Sequence, residues 1–450
     1  MTDTIAAIST PKGIGAIAII RMSGDDSWQI CQSILVNKLK IEPRKVFHNF
    51  IKDLDGTVLD EVTVVFYNKP QSYTGEDMVE IMCHGGLAVS QAILDLLLDK
   101  GARLADPGEF TKRAFLNGKI DLTKAEAIKQ IIEAPSKVSV KLIANNLLGG
   151  LADAVKELRE VLLSFLAKIE VEFDYPDEVF TEKEILLNDL MRATDFVEGL
   201  LENAQNRLVL SSGIKIVIVG KPNVGKSSLL NALVREDRAI VTEIPGTTRD
   251  LIEVPVTIGG IPFVLVDTAG IRESQDKVER IGVERAIRAA SEADLILFVL
   301  DATTPVDEDD IRVLKMIRDK RYLVVINKID ANDLVDRGML RNVLNTDIHT
   351  VTVSALFKEG IEEVERQIIK SVSDIVHDTQ GYITTERQYE HLSSCRQSIR
   401  DALRDFEKGT TLDLVAQEIR TAITELDLLL GTNYTKDLIE RIFKDFCVGK

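Results

Sequence analysis

Apolar residues follow different periods along the chain, and the changes of period divide it into regions. In residues 1 to about 118, short apolar runs of strand length occur at Ala16–Ile20 and Val62–Phe66, and Ala88–Leu98 has the spacing of a helix. A mixture of short strands and a helix predicts an α+β domain at the N-terminus.

From Thr123 onward, the pattern changes to long amphipathic stretches that contain few glycines or prolines. Apolar residues that recur every three to four positions are typical of helices that bury one face. A break at Phe173–Asp177 separates two of these stretches. The predicted helical stretches are Lys124–Ile132, Val138–Ala167, Glu182–Leu208, Gln388–Glu407, Leu412–Leu429 and Thr435–Phe446.

Between the two groups of helices, strand-like and helical patterns alternate, which is typical of a doubly wound parallel sheet. Because helices lie on both sides of it in the sequence, this α/β domain is predicted to be inserted into the helical domain, with its two ends close together. The chain is therefore predicted to be a multidomain α/β protein. Its predicted parts are 1–118 (N-terminal domain), 119–212 (helical, first part), 213–375 (α/β domain) and 376–450 (helical, second part).

Composition narrows the class of protein. The 450 residues are 45% hydrophobic, and 55 basic against 72 acidic residues leave a net charge of −17. An acidic chain is poorly suited to coat nucleic acid non-specifically, although a structured RNA could bind at a local basic patch. The four cysteines are scattered without a CxxC pair, which favours reduced thiols over disulfides or zinc. No signal peptide or membrane-length apolar stretch is visible, so a cytoplasmic location without a membrane is expected.

The strongest motif is Gly220–Ser227, which fits the GxxxxGK[ST] phosphate-binding loop. It follows the strand-like Ile214–Val219 and precedes the helical run Ser228–Leu233, the context that this motif requires. Backbone N–H groups and a helix N-terminus would bind phosphates, Lys226 would reach the β and γ phosphates, and Ser227 would ligate Mg²⁺. The predicted contacts from this loop are Asn223, Val224, Gly225, Lys226, Ser227 and Ser228.

A second motif, Asn327–Asp330, ends the buried-strand pattern Tyr322–Ile326. The Asp330 carboxylate can accept two hydrogen bonds from one edge of guanine, and adenine lacks that pair of donors. Alone, Asn-Lys-x-Asp also occurs in ordinary surface turns; after a phosphate loop, it predicts GTP as the ligand. Lys328 would cover the base, Asn327 would brace the loop, and a backbone N–H after the strand His349–Val353 would bind the guanine oxygen. The predicted base contacts are Asn327, Lys328, Asp330, Ser354, Ala355 and Leu356.

Two further segments are predicted to surround the γ-phosphate. Asp267 ends the strand Phe263–Val266 and could hold Mg²⁺ through water, while Gly270 allows a close approach of the chain. Ile244–Asp250 has the composition of a switch loop that GTP orders, and one of its threonines should complete the Mg²⁺ shell. The predicted contacts are Thr242, Glu243, Ile244, Pro245, Gly246, Thr247, Thr248, Asp267, Thr268, Ala269 and Gly270.

Ile271 occupies the position at which Ras-type enzymes carry the glutamine that orients the attacking water. Either hydrolysis is slow, or other groups supply the missing polarity. Asn223 could help to hold a monovalent cation beside the phosphates, in place of an arginine finger. Alternatively, an acid among Asp276, Glu279 and Glu284 could orient water, although these residues also fit the solvated face of an amphipathic helix.

Over essentially its full length, the chain closely resembles the MnmE (also called TrmE) family of tRNA-modifying GTPases. The order of an N-terminal domain, a helical domain and an inserted GTPase is the same, and specific matches lie outside the general GTPase motifs. These matches are Asp3–Ala7, Ile19–Gly24, Ser72–Asp77, His84–Gly86, Pro107–Thr111, Arg113–Lys119 and Phe446–Lys450.

The resemblance implies that the N-terminal domain is a folate-binding fold that mediates homodimerisation. Arg21, Glu80, Lys119 and Lys450 would contact 5,10-methylenetetrahydrofolate or its 5-formyl analogue, since basic groups pair with folate carboxylates and a carboxylate can bind the pterin edge. The alternative for Arg21 and Lys119 is an ordinary surface ion pair. Cys447 is a candidate nucleophile or simply a tolerated small residue.

For the GTPase domain, the resemblance favours the cation hypothesis and makes Thr248 the Mg²⁺ ligand together with Ser227. Glu279 falls at the position of the family's catalytic acid, which acts through a bridging water, and two GTPase domains would meet when loaded with GTP and K⁺. The implied K⁺ ligands are Asn223, Thr242, Ile244 and Thr247.

The function implied is that of a cytosolic, homodimeric, K⁺-stimulated GTP hydrolase. With an FAD-dependent MnmG-like subunit, in a heterotetramer or larger assembly, it would install an aminomethyl or carboxymethylaminomethyl group on C5 of the wobble uridine of certain tRNAs. A methylene-tetrahydrofolate would supply the carbon, and GTP hydrolysis would drive opening and closing of the GTPase domains. The alternatives are a ribosome-assembly or RNA-binding GTPase that acts as a binding switch without modification chemistry, and a folate enzyme merely regulated by GTP.

Overall fold

The computed structural model describes residues 3–174, 183–234, 252–267, 291–344, 350–376, 381–444 and 446–449. The chain forms two compact units, each discontinuous in sequence. One unit comprises Met1–Lys129, Leu151–Thr194 and Ser394–Lys450, and the other comprises Gln130–Gly150 and Asp195–Ser393. Because the edges of these units fall within helices, they do not decide the four domain ranges, which stay a prediction.

The N-terminal residues form a six-stranded sheet in the order β3-β4-β5-β2-β1-β6. Neighbouring strands are antiparallel except for the parallel pair β1 and β6. Alternate residues of β2 and β4, among them Ile20, Val64 and Phe66, are buried beneath two helices, which confirms the predicted α+β character. The elements are β1 (Ile5–Ile8), β2 (Ile17–Ser23), α1 (Ser27–Ile34), β3 (Val46–Lys52), β4 (Val58–Tyr67), β5 (Met78–His84), α2 (Leu87–Asp99), β6 (Arg103–Leu104) and α3 (Glu109–Leu116).

The next elements are helices, as predicted, but two of the predicted long stretches are each divided in two. Gly149 (φ +94°) separates one pair of helices, and Asn203 (φ +52°) separates the other. Left-handed backbone cannot continue a right-handed helix, and the hydrophobic pattern does not reveal it. The helices are α4 (Leu122–Glu133), α5 (Lys137–Leu147), α6 (Gly150–Asp174), α7 (Lys183–Leu201) and α8 (Ala204–Ser212).

A helix that crosses a membrane must be both long enough and apolar enough. Among the described ranges, no single helix meets both requirements. The pair Lys137–Leu147 and Gly150–Val171 meets them together by length and composition, with a bend of 43° between the two helices.

The α/β part of the second unit contains a six-stranded sheet in the order β12-β11-β10-β7-β9-β8. All neighbouring pairs are parallel except the antiparallel β8 and β9. Ile216 and Ile218 are buried on one face, and Val217 and Val219 are buried on the other, so helices cover both faces. The elements are β7 (Ile214–Val219), α9 (Lys226–Leu233), β8 (Ile252–Ile258), β9 (Ile261–Asp267), β10 (Leu295–Asp301), α10 (Glu308–Ile317), β11 (Tyr322–Asn327), α11 (Arg337–Leu344), β12 (Thr350–Val353), α12 (Ile361–Ser371) and α13 (Ser373–Val376).

Helices return at the C-terminus, and the last one is shorter than predicted. Phe443 and Phe446 pack with Phe115 and Leu122 of the same unit. The chain then approaches β1, where a Cβ on Gly449 (φ +89°) would lie 2.5 Å from the carbonyl oxygen of Ile8. These final helices are α14 (Glu386–Glu407), α15 (Leu412–Leu430) and α16 (Lys436–Lys444).

Candidate functional site

The predicted phosphate loop joins the end of β7 to the start of α9. A Cβ on Gly220 would lie 2.4 Å from the carbonyl oxygen of Val299, and one on Gly225 (φ +96°) would lie 2.2 Å from Asn327 Nδ2. Only glycine fits at these two close approaches without displacing a neighbour. The loop leads directly into the N-terminus of α9, where backbone N–H groups and the helix dipole favour an anion.

Lys226 begins α9 and is buried within this loop. Its ammonium donates hydrogen bonds to the carbonyl oxygens of Gly220 (2.8 Å) and Lys221 (2.7 Å). The cation is thereby held at the loop itself, where it can neutralise phosphate oxygens. Ser227 and Ser228 follow in the first turn of the helix, and both are exposed, as is Asn223 in the loop.

Asn327 connects three of the predicted nucleotide-binding segments. Its Nδ2 donates to the carbonyl oxygen of Val224 in the phosphate loop (2.9 Å), and its Oδ1 accepts from the N–H of Ala355 (3.0 Å). The side chain is buried, so both bonds are shielded from water. The phosphate loop and both predicted base-binding segments therefore meet at one amide group.

The remaining base-binding residues surround this amide. Ser354 Oγ donates to Asp330 Oδ1 (2.5 Å), which orients a carboxylate that is otherwise exposed. Lys328 has a left-handed backbone (φ +66°), and its Nζ donates to the carbonyl oxygen of Asn223 (2.8 Å). Leu356, which follows Ala355 in the second base-binding segment, is 76% exposed. The exposed apolar side chain and the lysine stem are the groups that a flat base could contact.

Several predicted site residues lie outside the described ranges. Asp267, by contrast, is described: it ends β9 and is the register partner of Ile218 in β7. Ile218 lies two residues before Gly220, where the phosphate loop begins. The residues outside are Thr242, Glu243, Ile244, Pro245, Gly246, Thr247, Thr248, Thr268, Ala269, Gly270, Asp276, Glu279, Glu284 and Lys450.

In the N-terminal sheet, Arg21 of β2 and Glu80 of β5 are register partners. Arg21 Nη2 and Nε lie 2.7 and 3.0 Å from Glu80 Oε1, and both side chains are 15% exposed. The hydroxyl of Tyr67 donates to Glu80 Oε2 (3.1 Å); burial first, and then the Glu80 charge, raise the pKa of Tyr67. The Arg21 guanidinium lies 5.1 and 5.7 Å from the ring centroids of Tyr73 and Phe110. The predicted folate residues Arg21 and Glu80 thus form one partly buried, aromatic-flanked ion pair.

The other two predicted folate residues, Lys119 and Lys450, are not part of this ion pair. Lys119 is exposed, and its Nζ donates to the carbonyl oxygen of Pro70 (2.9 Å), at the base of the loop that carries Tyr73. Lys450 lies outside the described residues, but the carbonyl oxygen of its neighbour Gly449 is 3.5 Å from Arg21 Nη1. The C-terminal chain therefore reaches the Arg21 side of the sheet. Cys447 is exposed, whereas the other three cysteines are buried.

The same unit contains a second charged cluster, which was not predicted from the sequence. Arg113, which is 8% exposed, lies 2.8 Å from Asp3, 3.1 Å from Glu76 and 3.0 Å from Glu109. Arg103 joins it through Asp3 (2.6 Å) and Glu109 (2.7 Å). Only the i, i+4 spacing of Glu109 and Arg113 on α3 is a sequence signal for this cluster, because its other members are far apart in the chain.

A doubly wound sheet, a glycine loop before a helix and a base-binding loop of Asn-Lys-x-Asp type define a P-loop GTPase domain. Residues 4–119 match the family described as the GTP-binding protein TrmE N-terminus, and residues 122–447 match the MnmE helical domain. The chain belongs to the MnmE (TrmE) family, which confirms the resemblance inferred from its motifs.

Two relatives illustrate the extent of the match. A protein named tRNA modification GTPase MnmE from Pseudothermotoga lettingae is 65% identical over 450 residues, which is all of both chains. One of the same name from Thermotoga maritima is 49% identical, also over all of both chains. Among solved structures, the G domain of the FeoB iron transporter from T. maritima is 28% identical, covers 35% of this chain and 98% of that chain, and has a TM-score of 0.28.

Proposed function

We propose that this chain is a GTP hydrolase that acts in tRNA modification, with its GTPase domain working as a nucleotide-driven switch. The observation that carries the nucleotide part is the Asn327 amide, which bonds the phosphate loop at Val224 and the base-binding segment at Ala355. Two loops joined by a buried amide form a preassembled nucleotide site. The tRNA part rests on full-length relatives that carry the name tRNA modification GTPase.

Guanine would be selected by Asp330, which Ser354 holds through a 2.5 Å hydrogen bond. A fixed carboxylate accepts two N–H groups from guanine, whereas adenine would cover it without supplying those donors, and a covered acceptor without a partner is costly. Lys328 and Leu356 would contact the faces of the base. The triphosphate would lie along the phosphate loop, with Lys226 bound to the β and γ phosphates.

The exposed Ser227 hydroxyl, in the first turn of α9, suits a hard cation beside the phosphates, and Thr248 would be the second Mg²⁺ ligand. Asn223 also exposes its amide at the loop, where a monovalent cation would bind with Thr242, Ile244 and Thr247. When bound, the cations neutralise charge on the phosphates. Glu279 would orient the attacking water, a role that Ile271 cannot perform.

A tetrahydrofolate, 5,10-methylenetetrahydrofolate or its 5-formyl analogue, would bind at Arg21 and Glu80. The arginine lies near the rings of Tyr73 and Phe110, and the carboxylate accepts from both Arg21 and Tyr67. Such a site offers a cation for folate carboxylates, a carboxylate for a pterin edge and aromatic faces for its ring. Lys119 and Lys450 would add positive charge at its margin.

The chain would act in the cytoplasm as a homodimer formed through the N-terminal domain, with an FAD-dependent MnmG-like subunit in a heterotetramer or larger assembly. Together they would place an aminomethyl or carboxymethylaminomethyl group on C5 of a wobble uridine, with the carbon taken from the folate. The GTPase domains would meet face to face when loaded with GTP and K⁺, so hydrolysis would drive conformational change and not the carbon chemistry.

Nucleoside mass spectrometry of tRNA tests this proposal. Cells that lack the chain should lose the C5-modified wobble uridine, and re-expression of the wild-type chain should restore it. A Lys226→Ala chain should fail to restore it if GTP binding is required. An unchanged nucleoside profile in the deletion strain would contradict the tRNA function and direct attention to ribosomal particles, where a ribosome-assembly GTPase would act.

A further inference from the structure

The segment from Asp301 to Asp310, which joins β10 to α10, contacts two lysines of the candidate nucleotide site. Asp301, at the end of β10, pairs with Lys328 of the base-binding loop. Asp307 and Asp310, at the start of α10, pair with Lys221 of the phosphate loop. We refer to Asp301, Asp307 and Asp310 together as the carboxylate brace.

Asp301 holds Lys328 in a defined position. The Lys328 Nζ to Asp301 Oδ2 distance is 2.5 Å, and the carboxylate side chain is only 11% exposed. Its other oxygen, Oδ1, accepts from the N–H (2.9 Å) and the hydroxyl (2.7 Å) of Thr303. Burial alone would raise the pKa of Asp301, but hydrogen bonds from Lys328 and Thr303 lower it, so the carboxylate stays ionised.

The other end of the brace is part of the start of a helix. Lys221 Nζ lies 2.7 Å from both Asp307 Oδ2 and Asp310 Oδ2. These two carboxylates also form a reciprocal cap on α10, in which each accepts from the backbone N–H of the other (3.1 and 3.2 Å). Asp310 is 2% exposed. Lys221 is therefore attached to groups that the helix start already fixes.

The two lysines in turn support the phosphate loop. Lys328 donates to the carbonyl oxygen of Asn223, and the carbonyl oxygen of Lys221 accepts from Lys226. Both halves of the loop are thus connected to one segment, which none of the nucleotide-binding motifs includes. The N–H of Ala302 adds a third connection by donating to the carbonyl oxygen of Asn327 (2.8 Å).

We propose that the carboxylate brace positions the nucleotide site and slows the release of guanine nucleotides, with Asp301 acting through Lys328, and Asp307 and Asp310 acting through Lys221. This inference rests on the proposed function as a GTP-binding protein and assigns positioning residues to it. A site held in its binding geometry loses less conformational freedom when the ligand binds. Changes of this kind within one site are expressed mainly in the dissociation rate.

The test is the release of fluorescent mant-GDP from the full chain, measured by stopped flow against excess unlabelled GDP. Asp301→Asn and Lys328→Met should each speed release about tenfold, the scale of one lost charge-assisted hydrogen bond. The double variant should be no faster than Lys328→Met, because Asp301 acts through that lysine. Lys221→Met should also speed release, and adding Asp307→Asn to it should change little.

Asp309→Asn is the matched control. Asp309 lies in the same first turn of α10, but its carboxylate faces the exposed Arg312 at 3.7 Å and not a lysine of the site. It should release mant-GDP at the wild-type rate. Steady-state GTP hydrolysis is a second measurement. The brace variants should raise KM, with kcat within about twofold of wild type, because they weaken binding of the ground state and of the transition state equally.

Wild-type release from Asp301→Asn, or effects of Asp301→Asn and Lys328→Met that multiply in the double variant, would overturn the proposal. If Asp301→Asn does not fold, Asp301→Glu replaces it, because this variant keeps the charge but moves it by one methylene. Asp301→Glu should release mant-GDP at an intermediate rate. Wild-type release rates in both single variants, Asp301→Glu and Lys328→Met, would contradict the brace. A wild-type chain that does not bind mant-GDP would instead contradict the proposed GTP-binding function.

Discussion

Arg21 and Glu80 lie opposite each other on neighbouring antiparallel strands, with Arg21 Nη2 2.7 Å from Glu80 Oε1. The backbone register places the two side chains next to each other on one face of the sheet, within reach of an ion pair. The flanking rings of Tyr73 and Phe110 and the nearby carbonyl oxygen of Gly449 enclose the arginine on further sides. An ordinary surface ion pair lacks this enclosure, and this difference is the reason for proposing the pair as a folate contact.

Arg21→Met should weaken binding of 5-formyltetrahydrofolate to the full chain by about tenfold or more, because it removes the cation that would pair with a folate carboxylate. Isothermal titration calorimetry measures this directly. Lys45→Met is the control, since Lys45 belongs to the same unit but forms an exposed pair with Glu42 at 3.1 Å. Equal affinity of Arg21→Met and wild type would reduce the Arg21–Glu80 pair to a structural role.

Gly225→Ala should lower GTP affinity by at least about tenfold. A left-handed alanine costs roughly 1–2 kcal/mol, and its Cβ would lie 2.2 Å from Asn327 Nδ2, so the amide that joins the two loops must move. Gly260→Ala is a matched control, because Gly260 has a similar φ of +84° but open space around its Cβ position. Fluorescent-nucleotide titration should find wild-type affinity in the control. A similar loss in both variants would trace the effect to backbone strain and not to Asn327.

Much of the fold was predictable because it depends on contiguous signals. The strand Ile214–Val219 has the predicted bounds, since a run that is apolar except for Lys215 and precedes a glycine loop has one simple interpretation. The long helices were predicted without their breaks, because an amphipathic pattern continues across Gly149 and Asn203, whose left-handed backbone is set by local geometry.

The candidate site also has parts that were predictable from the sequence and parts that were not. Its motifs are local in sequence and were predicted, and the structure brings Val224, Asn327 and Ala355 together as their order suggests. The pairing of Asp301 with Lys328 was not predictable, because an aspartate at a strand end has many potential partners. The register of the parallel sheet selects this one by placing Asp301 beside Asn327.

Acid should destabilise the N-terminal domain through the cluster around Arg103. Hydrogen bonds from Arg103 lower the pKa of Asp3; burial alone would raise the pKa of Glu109, but hydrogen bonds from Arg103, Asp106 and Arg113 lower it. A carboxyl whose folded pKa is lowered adds stability above its unfolded pKa, about 3.9 for Asp and 4.3 for Glu, and that stability disappears as pH falls through the folded value. We therefore expect Arg103→Met to lower the melting temperature at about pH 6 and to differ less from wild type below about pH 4.

Trp28 fluorescence reports unfolding of the N-terminal domain specifically, because Trp28 is the single tryptophan of the chain. It lies in α1, with its ring centroid 5.8 Å from that of Phe66. Thermal unfolding of the full chain is followed by its fluorescence over the pH range. Lys45→Met, which removes a cation from an exposed pair, should remain close to wild type throughout. A melting difference for Arg103→Met that is independent of pH would show that its effect comes from packing and not from charge.

Hydrolysis of GTP should be faster in KCl than in NaCl at equal ionic strength, by about tenfold or more. A cation that replaces an arginine finger must fit its ligands, and Na⁺ is smaller than K⁺. Asn223→Gly should abolish the difference, because it removes the amide that we propose as a K⁺ ligand, while glycine accepts the φ of +63° without strain. Phosphate release is the measurement, and equal rates in both salts would end the potassium hypothesis.

Glu279→Ala should retain GTP binding and lose turnover by about a hundredfold or more, the usual scale for a group that assists proton movement in the transition state. The reason is chemical: the Ile271 side chain has no polar atom where Ras-type enzymes carry a glutamine, so fast hydrolysis requires another group to orient the water. Fluorescent-nucleotide titration and single-turnover hydrolysis separate the two effects. Asp276→Ala and Glu284→Ala are the matched controls, since both acids lie in the same stretch, and both should hydrolyse GTP at close to the wild-type rate. A clear loss of GTP affinity in Glu279→Ala would assign this residue to binding, and a loss of turnover in Glu284→Ala alone would move the role to that acid.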